Sequence, residues 1–452
     1  MELDRGTVLF VLLPERGAFN ASFVLAKELR ARGYRVAYLG PKDHSEHVIA
    51  QGLEYLIVSP PESPKEVLRF RLFRKWREKR SRFKAGYRAF HDILSAADEQ
   101  IKALAPAIAL LDPLMWRYAG PLLANRVPVV GLNTTLAWRF NLDLPPVFSD
   151  MLPNDGSRLF QRLRNVTAWI PILLRESWSQ IREDVHRVAI MGPRGASRYR
   201  ARSIVAQNGG RLAIGEYGPR LIAPEVVLAP AEFDFPGASR TNGRIYAGSC
   251  VDLDRQDIEF DWSQINDDKP LLYCSLGTYS KAYPNAKRLF GAVVEAFKDR
   301  TDWQLVVQIG DAVTEEDLGP VPSHIVLAKA TPQIALLRRA ALFITHGGFS
   351  SVREATILSV PMVVFPCWLD QPGNAARVVF HGLGVRGDIS TVTSDDIAAL
   401  VQAAQGDAIR QNMTAMCERF LTQTGCEHVA DWLEEYTVPG AGRRKGAMQA
   451  AQ

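Results

Sequence analysis

Short apolar runs alternate with helix-periodic stretches through most of this chain, and nothing else in it limits the fold as strongly. TVLFVLL (7–13) reads as a buried strand, SFVLAKELRAR (22–32) has helical periodicity stopped by Gly33, and YRVAYLG (34–40) is the next strand. The pattern returns at AIALL (107–111) and VPVVGL (127–132), followed by a long helical, polar and aromatic stretch from about 155 to 210. A second set comprises LLYCSL (271–276), WQLVVQI (303–309), HIVLA (324–328), LFIT (342–345) and PMVVF (361–365). Such alternation implies parallel sheets with crossover helices. The 452 residues suffice for two domains of this kind. The expected fold is α/β, with a Rossmann-like domain over 1–235 and a second over 236–410. The segment 229–248, rich in Pro, Gly, Ser and Asn, reads as the linker. A C-terminal helix over 411–437 is expected to return to the first domain, and the tail 438–452 has too little apolar content to be ordered. Two doubly wound domains facing each other place a ligand cleft between their strand ends.

A net charge of +5 is far from that of a protein that coats nucleic acid, and no recognised nucleic-acid module accompanies it. The five cysteines, Cys250, Cys274, Cys367, Cys417 and Cys426, form no CxxC pair, which suggests reduced thiols and no zinc site. MELDRGTVLF lacks a basic start followed by an apolar stretch of roughly 7–15 residues, so no signal peptide is expected. No run approaches the about 18 apolar residues of a membrane span. These features point to the cytoplasm.

FITHGGFSSVREA (343–355) sets a histidine, two glycines, two serines and a glutamate between a strand and a helix start. Free backbone N–H groups and the positive end of a helix dipole make such a turn an anion site, and phosphate is its usual occupant. His346, Gly347 and Gly348 offer an imidazole and close backbone approach, and Ser350 and Ser351 offer hydroxyls. Glu354, about one turn on, can accept from a sugar diol. CWLDQPGNA (367–375) sets Asp370 beside Gln371, a pairing suited to reading sugar hydroxyls. SLGT (275–278) adds Thr278, and TPQ (331–333) adds Gln333. Alone each piece is a common turn or helix start; in this order and spacing they are specific.

From Thr331 to Gly384 the chain resembles the donor-binding signature of the UDP-glycosyltransferase superfamily (family 1, with the plant and the bacterial macrolide-type enzymes). PQIALL, FITHGGFSSVREA, VPMVVFPCWLDQPGNA and GLGV carry the resemblance, and GTVLFVLLPERG with LAKELRARGYRVAYLG extends it to the N-terminus. The resemblance implies a GT-B fold, an inverting mechanism, no metal requirement and no cofactor beyond a UDP-sugar donor, with a lean to UDP-glucose. It places His346, Gly347 and Gly348 at the diphosphate, with Ser350, Ser351 and Thr278. Glu354 falls at the ribose, Gln333 by the uridine, and Asp370 with Gln371 at the sugar. Two departures stand out: Ala330 replaces the tryptophan on which many relatives stack uracil, and Ser350 replaces an asparagine.

The acceptor is expected to be an apolar small molecule or lipid-like metabolite held by the first domain. Between Lys65 and Arg88 there are eleven Lys or Arg and two Glu, and Leu68, Leu72, Trp76, Phe83, Tyr87 and Phe90 make one helical stripe. The stretch 158–178 has similar character. Both fit a helix with a solvated basic face, or an interfacial helix touching anionic lipid through 65–90. The family's general base is a histidine in a P-x-x-G-H-x-x-P loop; here PERGAFNASF places Ala18 there, while LLDP keeps the partner aspartate, Asp112. Three readings stay open. The histidine has been substituted in this copy, Asp112 acts as base directly, or the protein is a catalytically silent nucleotide-sugar-binding helper. An epimerase of the same architecture is a further alternative, although such enzymes lack the WLDQ element.

Overall fold

The computed structural model describes residues 5–58, 74–136, 139–153, 156–198, 201–238, 243–255, 257–278, 280–422 and 425–437. Its strands are β1 (Thr7–Val11), β2 (Arg35–Gly40), β3 (Glu54–Ile57), β4 (Ile108–Leu111), β5 (Val129–Asn133), β6 (Leu212–Gly215), β7 (Gly218–Leu221), β8 (Glu225–Val227), β9 (Arg244–Tyr246), β10 (Leu271–Ser275), β11 (Gln304–Gln308), β12 (Ile325–Ala328), β13 (Ala340–Thr345), β14 (Met362–Val364) and β15 (Gly384–Arg386). The first-half helices are α1 (Arg16–Ala31), α2 (Ser45–Ile49), α3 (Arg74–Leu104), α4 (Ala119–Ala124), α5 (Arg158–Arg198) and α6 (Ala201–Gln207). The rest are α7 (Ala286–Phe297), α8 (Glu315–Leu318), α9 (Gln333–Leu337), α10 (Phe349–Ile357), α11 (Gln371–Phe380), α12 (Ser394–Ala404), α13 (Asp407–Thr422) and α14 (Cys426–Thr437).

Two parallel sheets result, β3-β2-β1-β4-β5-β8-β9 and β12-β11-β10-β13-β14-β15, with β6-β7 as a separate antiparallel hairpin. The two-residue period of a strand divides each sheet's apolar side chains between two cores. Val8 and Phe10 pack with α1 and α14, whereas Leu9 and Val11 join the cluster of α3 and α4 on the other face. Leu271 and Tyr273 face α10, α11 and α13, and Leu272 and Cys274 face α7 and α12.

Several boundaries differ from the sequence expectation. α1 begins at Arg16, not at 22, so Ala18 lies in a helical first turn and not in a loop; extended Glu15 is its N-cap residue. The first sheet runs past residue 235, because β9, inside the expected linker, pairs with β8. The single C-terminal helix is two: α13 packs on α10 in the second domain, and α14 alone returns to α1. Cys250 and Cys426 are disulfide-bonded, against the expectation of five free thiols, because the return of α14 brings together residues 176 apart in sequence. Of the basic stretch 65–90, residues 65–73 and the side chains of 74–83 lie outside the described residues, as does the tail 438–452; Tyr87 and Phe90 line a cavity of about 440 Å3 beside α5.

The halves are joined by buried polar contacts. Arg377 on α11 donates to Asp234 at 2.6 and 2.8 Å, both side chains almost fully buried. Arg353 on α10 donates to the carbonyls of Leu228 and Ser249. Buried pairs of this kind fix register between packed elements, since removing one partner strands a charge.

Candidate active site

Strand ends from both sheets converge on a cleft of about 470 Å3. Among its lining residues are eleven of the twelve positions singled out in the sequence: Ala18, Asp112, Thr278, Gln333, His346, Gly348, Ser350, Ser351, Glu354, Asp370 and Gln371. Gly347 stands behind the wall; at φ +79° it supplies a turn no β-carbon fits, since one would lie 2.6 Å from Val364.

The HGG turn is a slot for one ring. A β-carbon on Gly348 would lie 2.4 Å from His346 Nε2, and one on Gly277 would lie 2.7 Å from Cε1. His346 is thereby held between two glycines where β13 meets α10. Burial lowers its pKa to about 4, against a raising contribution from the Ser275 backbone, so the imidazole is neutral near pH 7. Gly348 is the N-cap residue of α10 and carries no side chain to satisfy the first-turn N–H groups. Ser350 donates its hydroxyl to the Gly17 carbonyl at 3.0 Å, tying α10 to the first turn of α1. Ser351 accepts from Gln333 Nε2 at 3.2 Å.

Glu354 is buried and already engaged. Arg255 donates to one carboxylate oxygen at 2.5 Å and to the other at 3.4 Å, and Gln333 donates at 2.5 Å. In the WLDQ turn, Leu369 takes φ +56°. Gln371 Oε1 accepts from the backbone of Cys367 and Trp368 at 2.8 and 3.1 Å, and its amide nitrogen donates to Tyr283 at 3.0 Å. Asp370 is held by Asn374 at 3.0 Å; burial raises its pKa to about 6, with Asn374 opposing.

Asp112 ends β4 and caps the following 3-10 turn by accepting from Leu114 N at 2.8 Å. Burial raises its pKa to about 7, opposed by the Leu114 and Leu13 backbone and helped by Glu15. Such a carboxyl exchanges its proton near neutrality. Ala18, 7% exposed, presents only a methyl group to the same cleft.

Sequence reasoning missed three contributors. Arg255 comes from an irregular segment with no motif. His47, bonded to Asn20 at 2.8 Å, also lines the cleft, and burial with nearby Arg16 and Arg255 lowers its pKa to about 4. Gln308 ends β11, and a polar residue closing an otherwise apolar strand was its signal. Its Oε1 lies 3.0, 3.1 and 2.9 Å from the hydroxyls of Tyr273, Ser275 and Thr331. The three hydroxyls donate toward this oxygen, and those of Tyr273 and Thr331 also lie 2.8 Å from each other. The amide nitrogen then donates to none of the described residues, and Gln308 lines the cleft. Among the described residues, no group of three or more His, Cys, Asp or Glu is placed to hold a metal ion.

Two facing parallel α/β domains with a cleft between their strand ends define the GT-B fold. The solved structure of the glycotransferase of kitacinnamycin superposes with a TM-score of 0.68 at 24% identity, covering 96% of this chain and 99% of that one. Residues 293–436 match the family described as Erythromycin biosynthesis protein CIII-like, C-terminal domain. The NDP-glycosyltransferase YjiC of Bacillus subtilis (strain 168) is 25% identical over 88% of this chain and 89% of its own length. The oleandomycin glycosyltransferase of Streptomyces antibioticus is 26% identical over 92% and 88%. Over most of its length the chain is similar to NDP-sugar glycosyltransferases of the natural-product type.

Proposed function

We propose that the protein transfers a hexose, glucose first among candidates, from a UDP-sugar to a hydroxyl of an apolar natural-product acceptor, with inversion. The observation that carries this reading is the joint placement, in one cleft, of an uncapped helix N-terminus with His346, the carboxyl of Asp370 and the strand-end carboxyl of Asp112. The diphosphate lies against the first turn of α10 and the neutral His346 ring, where N–H donors meet the charge that grows as the bond from sugar to phosphate breaks. Asp370 holds sugar hydroxyls and orients the anomeric carbon. Glu354 takes the ribose diol by sharing its oxygens with Arg255. Gln308 and Gln333 read the pyrimidine edge that the missing tryptophan would have stacked upon.

The acceptor oxygen attacks the anomeric carbon from the face opposite the diphosphate. The carbon–oxygen bond to phosphate breaks, its electron pair leaves with UDP, and the acceptor proton passes to Asp112. A carboxyl titrating near 7 favours this direct role over that of a mere partner to an absent histidine. The second reading, a silent nucleotide-sugar-binding helper, draws on Ala18 alone.

The test is turnover of UDP-glucose against a panel of apolar alcohols. The unaltered protein is expected to be active and Asp112→Asn to abolish activity. Under this direct role Ala18→His should add little, whereas a gain of about 10²–10⁴-fold, the typical worth of a general base, with little change in UDP affinity would show that the base was missing. Turnover that survives Asp112→Asn rejects the aspartate as base. UDP binding without turnover in both the unaltered and the Ala18→His protein favours the helper.

A further inference from the structure

The first domain carries a long apolar face that no described part of the chain covers. On α5, Leu159, Leu163, Ile170, Leu174, Trp178, Ile181, Val185 and Val188 are all exposed, Leu159 at 70% and Leu174 and Trp178 each at 66%. At about 100° per residue these positions fall within one 100° sector, a continuous stripe roughly 43 Å long at the rise of an α-helix. The opposite face anchors the helix. Asn165 and Trp169 are buried there and donate to the carbonyls of Leu142 and Leu144 at 2.9 and 3.1 Å, and Arg187 pairs with Glu183 and Asp184. The helical conformation breaks only at Gly192 (φ +73°), beyond the stripe.

Charge identifies the occupant. Arg164 and Arg182 lie along one edge of the stripe with no carboxylate partner among the described residues. α3 packs against α5, with the Arg187 guanidinium 5.8 Å from the Tyr87 ring centre, and carries the exposed Lys84 and Arg88 on either side of that ring in sequence. A second copy laid on this face would bring these cations against one another. An anionic bilayer surface matches the apolar stripe and the arginines along one edge, while Asp184 near the other edge is paired with Arg187.

We infer that α5 lies in the headgroup region of an anionic membrane, with its 159–188 stripe buried among the acyl chains and Arg164, Arg182, Lys84 and Arg88 toward lipid phosphates. No helix among the described residues is long and apolar enough to cross a membrane, so this contact is peripheral. The inference stands apart from the donor site, since no residue of the stripe lines the cleft.

The test uses the full chain with vesicles of phosphatidylcholine alone or with about one third phosphatidylglycerol. Co-sedimentation is expected with the anionic vesicles only, weakening as salt rises, together with a blue shift of tryptophan emission. Leu174→Glu with Trp178→Glu should weaken vesicle binding by about a hundredfold, from two apolar side chains no longer buried, while UDP affinity stays unchanged. If that variant fails to fold, Ile170→Gln with Ile181→Gln carries the same comparison. No binding to anionic vesicles at low salt, or equal binding by the stripe variants, overturns the inference. So does a concentration-dependent dimer that the stripe variants dissociate, which would give the face to a second copy.

Discussion

His346 shows how placement alters the chemistry a residue type suggests. A histidine beside a diphosphate invites the picture of a charged clamp, yet burial between Gly277 and Gly348 holds its pKa near 4. In the proposed role it would meet phosphate as a neutral N–H donor. Because the acceptor is an ionised phosphate, the bond is still charge-assisted, and His346→Ala should weaken UDP binding by about 1.5–3 kcal/mol. Calorimetric titration with UDP checks this, and an unchanged affinity would remove His346 from the site. The position of this residue was legible in the sequence because HGG between a strand and a helix is a local pattern. The partners of Glu354 and Gln308 were not, because Arg255, Tyr273 and Thr331 reach them only through tertiary folding. Gln371 was legible as a cleft residue, but its use in bonding the backbone of its own turn was not.

Among the elements, the slot formed by β10, β13 and α10 depends on glycine for space. Gly348→Ala should lower UDP affinity at least as much as His346→Ala, because its β-carbon would displace the imidazole and crowd the first turn of α10. Parallel UDP titrations and melting curves of the two variants decide it; a Gly348→Ala protein that binds UDP normally would show that the ring is not a fixed part of the site. Most strands were readable where buried apolar runs are long, as in β1, β10 and β13. β3, β8 and β9 escaped because short strands with charged or half-exposed residues, such as EYLI, EVV and RIY, carry no clear period. The start of α1 escaped because Gly17 and Asn20 resemble turn residues, although Gly17 fits the first turn and its carbonyl receives Ser350.

Across the molecule, buried ionisable groups set a pH dependence of stability. Glu216, fully buried where its carboxylate accepts from Val147 and Phe148, has a pKa raised by burial to about 8, and Asp112 one raised to about 7. Both bind protons in the folded state that the unfolded chain releases near pH 4, so their contribution is lost as pH rises toward 7–8. His346 and His47, lowered to about 4, act in the opposite sense, but only below about 6.5. The melting temperature should therefore fall between pH 6.5 and 8, and the double variant Asp112→Asn, Glu216→Gln should flatten that slope. A melting temperature constant over this range would contradict the assigned protonation.

The return of α14 to α1, with its first residue bonded to Cys250, bears on how such enzymes can be recombined. The helix bearing Ala18 is backed by the last described helix of the chain, so each catalytic half is not one continuous stretch of gene. A chimera that joins a foreign acceptor half at a single crossover would leave α14 facing an α1 it was not selected with. Exchange that keeps residues 1–250 and 426–437 from one parent, and takes only the part between from the other, preserves this packing and the Cys250–Cys426 bond together.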